Sequence, residues 1–130
     1  MSRKLINPAV LHPTPGFSHI AVASGSRLVF LAGQTALAPD FSIIGAGDLH
    51  QQTLATMKNV KVALDEVGAT WSDVVRRTVY TTQPTEFQTI AAAISEVTGG
   101  AEDPPQTIVG VTGLAVDGLL IEIECTVVLD

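Results

Sequence analysis

Two carboxylates, Glu122 and Glu124, interrupt an otherwise apolar run, LLIEIECTVVL, near the end of the chain. Side chains alternate across a strand, so Leu120, Glu122, Glu124 and Thr126 share one face, while Leu119, Ile121, Ile123, Cys125 and Val127 share the other. A face carrying two acids must meet water, a partner chain or a ligand, because an unpaired buried carboxylate is too costly. Glu122 and Glu124 are therefore read either as acid–base groups beside a small molecule or as hydrogen-bonding residues between subunits. Upstream, Pro104-Pro105-Gln106-Thr107 opens a second strand, and the Gln106 amide either fills volume or reads a neutral polar group. His19 lacks a Ser or Asp partner at a recognisable spacing and is expected to be a solvent-facing strand residue. No His, Cys, Asp and Glu set has metal-ligand spacing, so no metal and no cofactor are expected. Cys125, on the apolar face, reads as a buried, unreactive thiol.

Composition narrows the partners. The 130 residues form one domain, residues 1–130, with 46% hydrophobic and only 15% charged side chains. That charged share is below the usual value of about 25%, which favours an oligomer that hides surface between subunits. A net charge of −6 with seven Lys and Arg argues against a phosphate-binding surface, so nucleic acid is not an expected partner. One cysteine excludes an intrachain disulfide and fits a reducing compartment. The first residues, MSRKLINPAVLHPTPG, lack the apolar core of a signal peptide, and no apolar run approaches spanning length. A cytoplasmic protein without membrane contact is expected.

The elements that must position these groups follow from pattern. Residues 1–18, punctuated by Pro8, Pro13, Pro15 and Gly16, read as a loop or edge arm. Residues 19–23 and 27–32 read as strands joined by a Ser24-Gly25-Ser26 hairpin turn, with Gly33-Gln34 breaking the second. Asp48 caps a helix over residues 49–67 whose stripe is Thr53, Met57, Val60, Leu64 and Val67, closed by Gly68. Residues 73–82 are β-branched enough for a strand. Pro84 opens a second helix with a buried stripe of Phe87, Ile90, Ala91, Ile94 and Val97, ended by Gly99-Gly100. A final strand pair turns around Asp117-Gly118. The predicted order is β-β-α-β-α-β-β, an α+β domain with a mixed sheet and two helices on one face. The acid-bearing face is left for partner subunits, and clefts between copies are natural ligand sites.

Pro15-Gly16-Phe17-Ser18, Leu31-Ala32-Gly33-Gln34, the helix ending near Gly68, Arg77-Thr78-Val79-Tyr80 and the PPQT…IEIE run occur in this order. Together they make the chain resemble the Rid (reactive intermediate deaminase, YjgF-like) family across nearly its full length. The resemblance implies a chorismate-mutase-like fold and a cytoplasmic homotrimer with a central barrel of sheets and three clefts between subunits. It further implies hydrolysis of small enamines and imines, often formed from amino acids, to 2-oxo acids and ammonia, without metal or cofactor. Glu122 would help hold the attacking water, and Gln106, Phe17, Gly33, Thr107 and Ala91 would line the substrate site. Some members have been described as endoribonucleases or translation inhibitors, which the acidic charge here does not favour.

This chain departs from the pattern at the substrate grip. Deaminating members carry an arginine at the position of Gln106, a tyrosine is common at Phe17, and an asparagine is frequent at Ala91. An amide lacks the fixed fork and charge of a guanidinium, so carboxylate binding should weaken by one or two orders of magnitude. Two readings stand: a hydrolase acting on a less acidic C=N compound, and a trimer that binds a small metabolite without turning it over.

Overall fold

The computed structural model describes residues 2–130. Its strands are β1 (Ser2–Ile6), β2 (Ile20–Ser24), β3 (Arg27–Thr35), β4 (Val74–Thr81), β5 (Gln106–Gly110) and β6 (Ile121–Leu129). Two helices, α1 (Leu49–Glu66) and α2 (Phe87–Thr98), and a 3-10 turn at Trp71–Asp73 complete the list. The main sheet has the order β3-β6-β4-β5. β6 is antiparallel to both β3 and β4, while β5 is parallel to β4. β3 and β4 therefore run the same way with β6 inserted between them. Each parallel step needs a crossover, which α1 and α2 supply, and crossovers of one hand place both helices on one face.

The helix-covered face is the core. Met57, Val60 and Leu64 of α1 and Ile90 and Ile94 of α2 are buried on Val79, Ile121, Ile123 and Val127 of the sheet. Asp48 caps α1 by accepting from the Gln51 amide at 2.9 Å. α1 stops at Val67, and Gly68 beyond it adopts the left-handed conformation (φ 73°) that a side chain would resist. Of the predicted stripe, Thr53, Met57, Val60 and Leu64 are buried, whereas Val67, at the C-cap where the helix has ended, is 36% exposed. Cys125 is buried on this face too, and its thiol is pushed up to about 11, chiefly by burial. A raised thiol pKa means that the folded state holds its proton longer than the unfolded chain. Stability is thus unaffected below pH 9 and falls as pH rises from 9 to 11, by about 3 kcal/mol at most. Native protein should accordingly resist iodoacetamide at pH 8 and react once unfolded; rapid alkylation of the native fold would contradict this burial.

Five local expectations are corrected. The arm at residues 1–18 contains a strand, β1, which pairs antiparallel with β2 from Ser2↔Ser24 to Ile6↔Ile20. Arg3 ties this arm down through 2.8 Å and 3.2 Å bonds to the carbonyls of Val74 and Glu102. The Ser24-Gly25-Ser26 turn makes no hairpin, because β2 pairs with β1 and β3 with β6. Gly33-Gln34 does not break β3: a bulge between Leu31 and Gln34 absorbs the irregularity, and the strand runs on to Thr35. Likewise β5 and β6 do not pair with one another, since β4 lies between them. On α2, Phe87 leaves the buried stripe and is 44% exposed.

Candidate active site

The four-stranded sheet separates the predicted site residues into two groups. Arg77 is the register partner of both Gln106 on β5 and Cys125 on β6, so these three side chains lie on the helix face. Tyr80 is the partner of Glu122, which puts Glu122 on the opposite face together with Glu124 and Thr126. Within one chain, Gln106 and Glu122 thus lie on opposite faces of the same sheet.

The first group surrounds a cavity of about 540 Å³. Phe17, Phe87 and Ala91 form apolar walls, and Gln106, Thr107 and Ile108 of the edge strand β5 close it. Phe17 is held in place on both sides. Its neighbour Gly16 offers a carbonyl to Arg77, and Ser18 bonds the backbone of Asp103 and Pro104 at 2.7 and 3.1 Å. His12 also lines the cavity, with its ring centroid 5.9 Å from Phe17 and 4.7 Å from His19. His19, expected to face solvent, instead packs edge-on to Phe17 and bonds the His12 carbonyl at 2.9 Å. Ala91 leaves room where a larger residue on α2 would fill the cavity.

Arg77 organises this half. It is only 3% exposed and donates from Nε to Gln106 Oε1 at 2.5 Å, and from Nη2 to Gly16 O and Asp103 Oδ1, both at 3.1 Å. Burial lowers its pKa from the usual arginine value, while Asp103 works to raise it. Its backbone amide bonds Pro105 O at 3.0 Å. The sequence pattern places Arg77 only within the Arg77-Thr78-Val79-Tyr80 run and gives it no such role. The signal was available: Val79 and Thr81 are buried, and alternation along β4 places Arg77 beside them.

The second group is Gly33 and Glu122. The bulge in β3 brings the Gly33 backbone against the Glu122 side chain, and a Cβ built on Gly33 would stand 2.1 Å from Glu122 Oε2. Only glycine leaves space for the carboxylate in this position. Glu124 is occupied elsewhere, accepting from the Tyr80 hydroxyl at 2.7 Å, which raises the tyrosine pKa. Gly33→Ala should force Glu122 off its rotamer, lowering any turnover by about 10–100-fold at a stability cost of roughly 1 kcal/mol. Unchanged turnover in that variant would show that the placement of the carboxylate is unimportant.

Among the described residues no group of three His, Cys, Asp or Glu side chains could hold a metal ion. None of the helices described is long and apolar enough to cross a membrane.

A split β-α-β sheet backed by two helices, with a cavity at its edge strand and a glycine-seated carboxylate on its open face, defines a class of small α+β domains. The family model described as Endoribonuclease L-PSP matches residues 8–129, and the chain belongs to this family, the Rid/YjgF family. It is 32% identical to the RutC family protein slr0709 of Synechocystis over 130 residues, covering 99% of this chain and 98% of that protein. It is 36% identical to the RutC family protein PYRAB12510 of Pyrococcus abyssi over 98 residues, covering 75% and 76%. Among solved structures, the conserved Rid-family protein YyfB of Yersinia pestis, described as of unknown function, superposes with a TM-score of 0.92 at 37% identity, covering 99% of this chain and 100% of that one. Rv2704 of Mycobacterium tuberculosis, of the YjgF/YER057c/UK114 family, gives 0.66 at 27% identity, covering 98% and 100%.

Proposed function

We propose that the chain assembles head to tail into a homotrimer and hydrolyses a small imine or enamine in clefts between its subunits. The observation that carries this reading is the seating of the Glu122 carboxylate against Gly33, where the chain gives up a side chain to make room for it. The two halves lie at opposite edges of the sheet, β3 at one and β5 at the other. A heterologous interface that repeats β3 of one subunit beside β5 of the next closes into a ring and brings the halves together. The open sheet face offers Leu28 and Phe30, 65% and 72% exposed, as apolar contacts for that assembly.

In the composite site, Glu122 of one subunit takes a proton from water as its oxygen attacks the C=N carbon. Glu122 returns that proton to the nitrogen to give the carbinolamine. It then passes the hydroxyl proton to the nitrogen as the C–N bond breaks, releasing a carbonyl compound and ammonia. An enamine first tautomerises to the imine, a proton moving from nitrogen to the β-carbon. Every atom is supplied by substrate and water. Phe17, Phe87, Ala91 and Ile108 enclose the carbon skeleton, with Gln106 and Thr107 as the polar groups that orient it.

The test is ammonia release from imines generated in place by an amine oxidase, comparing native protein with no protein. Acceleration supports the hydrolase. The absence of Arg at position 106 favours a second reading, a trimer whose clefts bind a neutral metabolite without turnover; binding without ammonia release would establish it. RNA cleavage is the weakest reading, because the chain carries a net charge of −6.

A further inference from the structure

The Gln106 amide is oriented by its neighbour, and the orientation selects a ligand class. Arginine can only donate hydrogen bonds, so the Gln106 atom 2.5 Å from Arg77 Nε must be the carbonyl oxygen, Oε1. The NH₂ end has no acceptor among the described residues, and Gln106 lines the cavity. Arg77 itself is unavailable to a ligand. It lies behind Gln106, and its Nη2 is taken by Gly16 and by the Asp103 carboxylate. Arg76 stands on the other side of β4, where Nη2 donates to Thr107 Oγ1 at 2.8 Å, and it does not line the cavity. The cavity therefore presents the Gln106 NH₂ as a donor fixed by Arg77, with the Thr107 hydroxyl beside it, among apolar walls and with no Lys or Arg in its lining, His12 being its one titratable lining residue.

We infer that this cleft takes an uncharged, largely apolar molecule bearing a hydrogen-bond acceptor, that it discriminates against carboxylates, and that Arg77 is the positioning residue that sets this preference. A carboxylate entering here would shed its water and gain one neutral hydrogen bond, whereas an amide or ketone oxygen sheds far less. The inference rests on the reading of this cleft as the ligand site. It adds the chemical class of the ligand and the residue that determines it.

Benzamide and benzoate test it, because they share one ring and differ in charge. Each is titrated into native protein while the side-chain NH₂ resonances of Gln106 and the Phe17 and Thr107 amides are followed. Benzamide is expected to shift them at concentrations at least roughly tenfold below benzoate. In Arg77→Gln/Gln106→Arg, donor and acceptor change places and the cavity gains a cation, so the preference should reverse. Arg77→Lys, which keeps the charge but cannot span three partners, should narrow the preference without abolishing folding. Equal binding, tighter binding of benzoate, or no response to either molecule overturns the inference. A benzoate preference that vanishes in Arg76→Gln would also overturn it and assign the grip to Arg76. Amide preference without ammonia release would leave this inference standing while removing the hydrolase reading.

Discussion

Glu122→Gln is expected to lower imine hydrolysis by about 10²–10⁴-fold, the range for losing a positioned general base. The substitution keeps the volume and most of the hydrogen-bonding capacity of the side chain, so the melting temperature should stay close to native. Glutamine cannot take the proton that water must lose, and the loss belongs in kcat rather than KM if the ligand is gripped by the other half of the cleft. Glu124→Gln is the control, because Glu124 is engaged with Tyr80 and has no place in the proposed step. Measured turnover of Glu122→Gln within a few-fold of native would remove Glu122 from catalysis.

The largest stability effect is expected from Gln106→Arg. This change would supply the arginine that the family resemblance implies at this position, yet position 106 faces a buried guanidinium. Arg77 would lose the Oε1 acceptor of its Nε, a charge-assisted bond worth about 1.5–3 kcal/mol, and would meet a second cation beside it. Two unit charges 4 Å apart repel by about 4 kcal/mol at an effective dielectric of 20, much of which the new side chain relieves by turning outward. A net loss of about 3 kcal/mol follows, or roughly 10 °C in melting temperature for a domain of this size. Adding Arg77→Gln should recover most of it, since the pair is then restored with its polarity reversed. A Gln106→Arg protein that melts with the native one would show that Arg77 does not depend on this acceptor.

Much of the fold was legible because the periodicities were clean. The α1 stripe, the Asp48 cap and the two-faced β6 strand each follow from local pattern, and tertiary packing did not override them. Pairing was less legible, because alternation says which face a residue takes and nothing about its neighbour strand. The supposed hairpin at Ser24-Gly25-Ser26 fails for that reason: β6, about a hundred residues later, claims β3. β1 was hidden by the prolines that follow it, although Ser2–Ile6 itself contains none. Gln52 shows another limit, a glutamine inside the helical core stripe. Its carbonyl accepts from Leu120 N at 2.8 Å and its NH₂ donates to Gly118 O at 3.1 Å, fastening the loop that leads into β6. No composition rule flags a polar residue that finds both its partners 66 and 68 positions away. Of the candidate site, the residues were named from the sequence and alternation put Glu122 on the open face, but that Gln106 lies on the other face beside Arg77 depends on the register of β5 against β4. Arg77 was hidden by its neighbour: an Arg-Arg pair reads as surface charge until alternation is followed through Val79 and Thr81.

The central claim is that an intact site needs Glu122 from one subunit and the cavity of the next. Two variants separate these contributions: Glu122→Gln removes the base, and Ala91→Trp fills the cavity. Each alone should be inactive toward an imine generated in place. When the two are co-refolded in equal amounts, a random ring joins an intact Glu122 to an intact cavity at about one interface in four, so activity should return to about a quarter of native. Mixed assemblies that form but stay inactive would contradict a site shared between subunits.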